Sequence, residues 1–148
     1  MLTKVYSVWK ASVDSISSIQ GINWAMSIQP FPPSFSSETA KLGGNSLGLD
    51  PSDGSLTLFL LSYNWANADD DDAVDAAAQK LLADIDAASQ NAGAYNKYKY
   101  LNYAASWQNP IAGYGQGNQQ KLQAVSKRYD PIGLFQNSCP GGFKVFGS

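Results

Sequence analysis

Two strand-like segments are the feature that most limits the folds open to this chain. In residues 22–29, apolar side chains (Ile22, Trp24, Met26, Ile28) alternate with small or polar ones, the two-residue period of a strand with one buried face. Residues 56–65 form a second predicted strand, and its nearly continuous apolar first half predicts that both faces are covered there. A sheet this small has exposed edges and is marginal alone, so we expect dimerisation or a partner chain to complete it.

The remaining periodic segments predict helices. Apolar residues recur at three- and four-residue steps over residues 2–19, and Gly21 is expected to end that helix. Residues 73–89 and 118–129 have the same period, and Asp130-Pro131 closes the last helix. The predicted class is α+β, with a small antiparallel sheet, helices packed on one of its faces, and a single domain over residues 1–148.

Two segments lack this regularity. Pro30, Pro32 and Pro33 are expected to end the first strand, and residues 31–55 have no convincing period but many Pro, Gly, Ser and Asn residues. Long loops of this kind tend to be lids or binding loops, so we expect a functional or partner-covering loop. Residues 95–103 contain four tyrosines and two lysines and are interpreted as a short third strand that runs into a loop.

Four consecutive aspartates at residues 69–72 precede the alanine-rich helix. A calcium site is one interpretation. Carboxylates at a helix N-terminus also cap its free N–H groups and oppose its dipole without a metal. No EF-hand spacing or distal Glu is present, so we favour the helix-terminal role and expect no metal site.

Composition limits the chemistry. The chain contains no histidine and a single cysteine, Cys139. This excludes Ser-His-Asp and Cys-His nucleophile arrangements, zinc helices of the HExxH type, and an internal disulfide. Any chemistry must use tyrosine, lysine, carboxylates, amides or a bound cofactor.

Charge and hydropathy exclude two classes of partner. The net charge is −2, from 10 basic and 12 acidic residues, which argues against nucleic acid as the main partner. The longest strongly apolar stretch, residues 56–61, is far shorter than the ~20 residues of a membrane-spanning helix. Lys4, Lys10 and Asp14 interrupt any hydrophobic region of a secretory signal. We therefore expect Met1 to open directly into folded structure, no membrane partner, and a cytoplasmic protein.

Three motifs occur together in the chain: GGNSLGL at residues 43–49, YLNY at residues 100–103, and a tail that runs from YDP at Tyr129 to PGGFK at Lys144. With these motifs in this order, the chain resembles the C-terminal part of fungal FAD-linked oxidoreductases of the berberine bridge enzyme type over essentially its whole length. The resemblance implies a substrate-binding region whose antiparallel sheet covers a flavin held by a separate N-terminal domain.

The flavin-holding domain of that family has no counterpart in this sequence. It often tethers the flavin through a histidine and a cysteine, in keeping with the lack of histidine here. Residues 113–117 (GYGQG) do not replace it, since a dinucleotide fingerprint needs a clear preceding strand and a different final glycine spacing. We therefore expect no cofactor. Loss of that domain would expose Phe135, Phe143, Val145 and Phe146, and such patches usually become interfaces, so we expect a homodimer or a complex with another chain.

The resemblance also implies site residues. Carried over to YLNY, it makes Tyr103 the acid/base candidate, with Asn102 and Tyr100 beside it. The family commonly has an aspartate where Ala105 stands, which argues against carboxylate-assisted oxidation at this point. A phenol ordinarily keeps its proton at neutral pH, so Tyr103 is expected to donate a hydrogen bond unless a cation lies beside it. The cations available in the sequence are Lys97, Lys99 and Lys41. The simpler interpretation is that these tyrosines are packing residues.

The strands supply the predicted pocket lining. Trp24, Met26 and Ile28 are assigned to the core. Asn23, Ser27 and Gln29 on the other face, with Tyr63 and Trp65 at the end of the second strand, are predicted to bind a hydrophobic, partly oxygenated small molecule.

Two functions follow and stay open. One is a flavin-free domain that binds a secondary metabolite and catalyses a cyclisation, a Diels-Alder-type cycloaddition or an isomerisation. Such a step needs a shaped pocket and one or two hydrogen-bond donors, for which Tyr103, Asn102 and Gln29 are the candidates. The other is a fragment or subunit of an FAD-dependent oxidoreductase, or a non-catalytic binding module.

Overall fold

The computed structural model describes residues 1–147. About half of the chain is helical, and its sheet is a pair of antiparallel strands, which confirms the predicted α+β class. The chain divides into two compact units, one of residues Met1–Gln29 and Phe59–Asn96 and the other of residues Pro30–Leu58 and Lys97–Ser148. The prediction of a single domain stays a prediction, and each unit is described separately below.

The first unit contains most of both strands and two long helices. These are α1 (Leu2–Ile16), β1 (Asn23–Phe31), β2 (Leu56–Asn64) and α3 (Asp71–Asn91). Helix α1 packs along α3. The core residues of this unit are Val5, Ile16, Trp24, Val74, Ala78, Leu81 and Ile85. Those on α3 recur at three- or four-residue steps, as an amphipathic helix with one buried face requires.

Helix α1 is shorter than its apolar period predicts. It ends at Ile16 and not at Gly21. Ser15 and Ser17 donate hydrogen bonds from their hydroxyls to backbone carbonyls three residues earlier, a local bonding mode that competes with helix continuation. Two residues of the predicted stripe, Leu2 and Tyr6, are about half exposed, so its N-terminal part contributes little to the core.

The strands differ from the sequence expectations in two respects. Strand β1 continues through Pro30 to Phe31, because both members of a two-stranded sheet are edge strands and an edge tolerates proline. In β2 the apolar run does not have both faces covered, since its side chains from Leu58 to Leu61 are only half-buried. Trp24, Tyr63 and Trp65 bond to helices α1 and α3 from one face of the sheet.

The second unit contains short helices around a small core. The segment predicted to be a long loop includes α2 (Ser34–Ala40) and a 3-10 turn, Pro51–Asp53. The predicted third strand in residues 95–103 does not form, and those residues are coil followed by a 3-10 turn, Leu101–Tyr103. Three further helices are α4 (Pro110–Gly113), α5 (Gln116–Tyr129) and α6 (Leu134–Asn137). Leu49, Pro110, Ile111 and Tyr114 are buried in this unit.

The end of the chain is held on α5 by side-chain amides. Gln123 Nε2 donates to the Val145 carbonyl at 2.8 Å, and the Val145 N–H donates to Gln136 Oε1 at 3.1 Å. Asp130, directly after α5, accepts the N–H groups of Leu134 and Phe135 at the start of α6. Within residues 1–147, no helix is long and apolar enough to cross a lipid bilayer.

Candidate functional site

The tyrosine-rich segment forms a compact arrangement around the Leu101–Tyr103 turn. The rings of Tyr100 and Tyr103 meet edge to face, with centroids 4.7 Å apart and planes at 76°. Asn102 Nδ2 donates to the Tyr100 hydroxyl at 2.9 Å. Asn102 and Tyr103 are exposed, and Tyr100 is half-buried. The three residues implied by the family resemblance are therefore adjacent and partly accessible to a ligand.

Two further tyrosines extend this arrangement. Tyr98 stacks on Tyr114 with ring centroids 6.0 Å apart. Burial, followed by the neighbouring phenols of Tyr114 and Tyr100, raises the pKa of Tyr98 from 10.0 to about 12. Burial also raises the pKa of Tyr114. We call Tyr98, Tyr100, Tyr103 and Tyr114 the tyrosine cluster.

The GGNSLGL motif packs against Tyr114 of the tyrosine cluster. A side chain at Gly48 would collide with the Tyr114 carbonyl oxygen, and Gly48 has φ +73°, so both space and backbone conformation favour glycine. Asn45 fixes this loop by accepting the Leu47 N–H at 2.8 Å and donating to the Leu49 carbonyl at 2.9 Å. The motif therefore places backbone directly against Tyr114.

Two of the three cations considered for Tyr103 have other surroundings. Lys41 forms an ion pair with Glu38 at 2.7 Å on the surface of α2, so its charge is already compensated. The Lys97 ammonium lies beside Gly115, at the start of α5. Assistance of Tyr103 by Lys99 stays a prediction.

The predicted strand residues fall into two groups within the first unit. Asn23 and Ser27 are exposed and Gln29 is half-buried on one face of β1. Tyr63 and Trp65 lie instead on the Trp24 face. Tyr63 contacts Trp24 at 5.2 Å and stacks on Trp65 at 5.9 Å between ring centroids. The five residues therefore do not share one face of the sheet.

Helix α3 and helix α1 hold the polar ends of these aromatic rings. Trp65 Nε1 donates to Asp71 Oδ1 at 2.8 Å, and the Tyr63 hydroxyl donates to Asp75 Oδ1 at 3.4 Å. Trp24 Nε1 donates to Ser12 Oγ at 2.9 Å. These bonds make the aromatic row a structural contact between sheet and helices. A ligand role for Tyr63 and Trp65 stays a prediction.

The aspartate run lies at the start of α3, as predicted, but it does not cap the helix. The N-cap residue Asp70 makes no side-chain cap hydrogen bond, and Asp71 accepts the Trp65 indole instead. Among the described residues, no group of three or more carboxylate or thiol side chains is arranged to hold a metal ion.

Sequence analysis did not single out Tyr98 and Tyr114. A usable signal was present in the sequence, because Tyr114 stands between two glycines. The Lys97 carbonyl lies where a side chain at Gly113 would be, so the absence of side chains beside Tyr114 permits close packing of the tyrosine segment.

Residues 113–117 do not form a dinucleotide fingerprint, which joins a strand directly to a helix N-terminus. In residues 94–115 the structure has coil, a 3-10 turn and α4 before α5 begins, and no strand.

Comparison with known proteins places the chain among fungal proteins. FAD-dependent monooxygenase sdcF from Emericella nidulans is 39% identical over 118 residues, which cover 80% of this chain and 25% of the relative. FAD-dependent monooxygenase drtC from Aspergillus calidoustus is 32% identical over 142 residues, 94% of this chain and 27% of the relative. The chain is homologous to a segment of fungal FAD-dependent monooxygenases.

A third relative is named as a synthase. Bifunctional solanapyrone synthase from Alternaria solani is 32% identical over 117 residues, 79% of this chain and 22% of the relative. The chain thus spans about a quarter of the length of these curated relatives. No protein-family model matches the chain, and no solved structure matches it. The berberine bridge type of the resemblance stays a prediction.

Proposed function

We propose that this chain binds a hydrophobic, partly oxygenated secondary metabolite and catalyses a non-redox step without a flavin. The step is a cyclisation, a Diels-Alder-type cycloaddition or a double-bond isomerisation. The observation that carries the proposal is the tyrosine cluster. The exposed residues Tyr103 and Asn102 contact Tyr100, and Tyr100 neighbours the phenol of Tyr98. The residues expected to line the site in the second unit are Tyr100, Asn102 and Tyr103, with Tyr98 and Tyr114 as supports.

The chemistry asked of this cluster is polarisation of a carbonyl group. A donor that binds the carbonyl oxygen more strongly as it gains negative charge lowers the barrier. Because the pKa of Tyr98 is about 12, this phenol keeps its proton at neutral pH. The Tyr100 oxygen accepts a hydrogen bond from Asn102, so its own proton is directed to a different acceptor. Aromatic faces hold the apolar part of the ligand.

The names of the relatives support the metabolite class. They are fungal secondary-metabolite proteins of the FAD-dependent monooxygenase family, and one of them is named for a synthase. The proposal transfers from them only the class of ligand.

Turnover of a polyene or enone substrate by matched variants tests this function. Tyr103→Phe removes one donor and Asn102→Ala removes the amide, and each should lower kcat about tenfold or more, because loss of a single donor at a developing oxyanion commonly costs about 10²–10³. Tyr95→Phe is the control, since Tyr95 lies in the same stretch of sequence but outside the cluster. If both site variants keep full activity, the assigned site is wrong.

A second function is favoured by the length of the relatives. Because the chain spans about a quarter of proteins named FAD-dependent monooxygenases, it is also a candidate subunit or fragment of a flavin enzyme. The absorption spectrum of the purified protein separates the two functions. Flavin bands in the near-ultraviolet and blue would overturn the flavin-free proposal and support the subunit.

We also propose that the chain forms a homodimer. Six large apolar side chains of the second unit's C-terminal part are exposed: Val125, Tyr129, Ile132, Leu134, Phe135 and Phe146. Phe143 and Val145, which were expected to be exposed with them, are half-buried. Exposed apolar groups of this kind favour association. A monomeric mass in sedimentation velocity at micromolar concentration would contradict the dimer.

A further inference from the structure

A cleft lies beside α5 and α6, and its lining includes none of the tyrosine-cluster residues. Its volume is about 330 Å³, and it is lined by Ser126, Lys127, Asp130, Pro131, Ile132, Gly133, Gln136, Asn137, Lys144, Phe146 and Gly147. A volume of this size is sufficient for a small organic molecule. The lining combines two ammonium groups and two carboxamides with apolar surface from Ile132 and Phe146.

The cleft has defined walls. The Lys144 ammonium donates to the carbonyls of Phe135 and Cys139 at 3.1 and 2.8 Å, which fixes its position and leaves one of its three N–H donors for a ligand. Gly133 leaves room for Asn137, whose Nδ2 lies 2.6 Å from the place of a Cβ at Gly133. The hydrogen bond from the Gln123 side-chain amide to the Val145 carbonyl holds this segment on α5. Phe146 therefore lies beside Lys127, whose ammonium is 5.6 Å from the ring centroid.

The lining of the cleft contains two ammonium groups and one carboxylate, a formal charge of +1. Asp130 is the one carboxylate of the lining, and it accepts the N–H groups of Leu134 and Phe135. In residues 1–147, no carboxylate lies within ion-pair distance of Lys127, Arg128 or Lys144. Although the whole chain carries −2, residues 97–148 contain six basic residues and one acidic residue, a formal charge of +5.

We infer that this cleft binds a small amphipathic carboxylic acid in its anionic form. The carboxylate is held by Lys127 and Lys144, with Asn137 as a further donor, and the apolar body lies against Ile132 and Phe146. Charge-assisted hydrogen bonds to ammonium groups are about twice as strong as neutral ones, so the charge of the ligand decides affinity. The inference uses none of the tyrosine-cluster residues and so does not rest on the proposed catalysis. It shares Ile132 and Phe146 with the apolar surface proposed for the homodimer, so a dimer that covers these two side chains would compete with the ligand.

Calorimetric titration with 2-naphthoate and 2-naphthamide tests the inference. The two probes share a ring system and differ in charge at neutral pH. We expect the wild-type chain to bind naphthoate at least about fivefold more tightly than naphthamide, as loss of one charged contact costs roughly 1 kcal/mol or more. Equal affinity for both probes would overturn the inference.

Matched lysine variants locate the binding. Lys127→Gln should raise the Kd of naphthoate about fivefold and leave that of naphthamide within twofold. Lys121→Gln, on the same helix but outside the cleft, removes an equal charge and should leave both within twofold. Lys144→Gln should weaken naphthoate as well, although it also removes two structural hydrogen bonds, so Lys127→Gln is the decisive variant. Equal effects of Lys127→Gln and Lys121→Gln would contradict the assignment.

Discussion

Asn102 and Tyr100 are joined by a hydrogen bond of 2.9 Å in which the side-chain amide donates to the phenol oxygen. The bond fixes the Tyr100 hydroxyl as an acceptor towards Asn102, so its proton is presented elsewhere. Asn102→Asp replaces the donating amide by an acceptor and should therefore lower kcat for an enone substrate by at least about fivefold, whereas Asn102→Gln should restore part of it. Equal activity of the two variants in steady-state kinetics would refute this role of the bond.

Alkaline pH should destabilise the fold through Tyr98. Its pKa is raised from 10.0 in the unfolded chain to about 12 in the folded one. Between these values the folded state retains a proton that the unfolded state has lost, so the free energy of unfolding falls as pH rises from about 10 to 12. Thermal melts across this range should show a smaller loss of Tm in Tyr98→Phe. Tyr129→Phe, which removes an exposed phenol, is the control and should retain the full loss.

Gly48 and Gly44 provide a matched pair for the packing of the GGNSLGL motif. Both have positive φ, but a Cβ at Gly44 meets nothing within 4 Å, whereas a Cβ at Gly48 collides with the Tyr114 carbonyl. Each alanine substitution should cost about 1–2 kcal/mol for the backbone conformation, and Gly48→Ala should cost about 1–3 kcal/mol more for the collision. Urea unfolding measures both. Equal losses would show that the motif does not press on Tyr114.

The bond from Trp24 Nε1 to Ser12 Oγ couples β1 to α1. Ser12 donates its own proton to the Trp9 carbonyl at 2.6 Å, so its oxygen is available to the indole. Trp24→Ala should lower the free energy of unfolding by about 3–5 kcal/mol. Ser12→Ala should lower the free energy of unfolding by about 1 kcal/mol more than Ser15→Ala does. Ser15→Ala is the control, because it gives the same gain in helix propensity at an exposed position. Ser12→Ala and Trp24→Phe should also be less than additive, and additive losses would exclude the coupling.

Asp71 should stabilise the protein more than its neighbour Asp72. Both lie in the first turn of α3, where a carboxylate opposes the helix dipole, but Asp71 also accepts the Trp65 indole. Asp71→Ala should therefore cost about 0.5–1.5 kcal/mol more than Asp72→Ala in chemical unfolding. Calcium chloride at millimolar concentration should leave Tm unchanged. A rise of Tm with calcium would instead support a calcium site at the aspartate run.

Sequence periodicity located the long elements because their signals are local. The core positions of α3 and the buried Trp24 of β1 follow directly from the 3.6- and two-residue periods. The predicted end of α1 was less accurate, because Ser15 and Ser17, on either side of Ile16, bond locally to the backbone. The short helix α2 was missed, since its SFSSETA sequence has little apolar period.

The prediction of a third strand was wrong for a different reason. Alternating tyrosines and lysines in residues 95–103 favour an extended chain, but residues 94–100 have no regular secondary structure. A strand, however, exists only where a partner supplies the other half of the ladder. In this chain the same residues use their rings to stack, as Tyr98 does on Tyr114, so the tyrosines became the candidate site rather than part of a sheet.

The site itself was partly visible in the sequence. The YLNY motif identified Tyr100, Asn102 and Tyr103 as neighbours, because they are close along the chain. Tyr63 and Trp65 were placed with Asn23 and Ser27, whereas the structure packs them against Trp24. The register between two strands decides which side chains share a face of the sheet. Register is set by strand pairing, which the sequence of one strand does not show.

The sequence by itself determined the α+β class, the two strands, and a chemistry limited to phenols, amides, lysines and carboxylates, because composition and periodicity are properties of the chain. Only the tertiary structure decided that Gly48 lies against Tyr114, that burial raises the pKa of Tyr98, and that Lys127 and Lys144 line one cleft. Each of these depends on contacts between residues far apart in sequence, and such contacts are fixed by packing rather than by local preference.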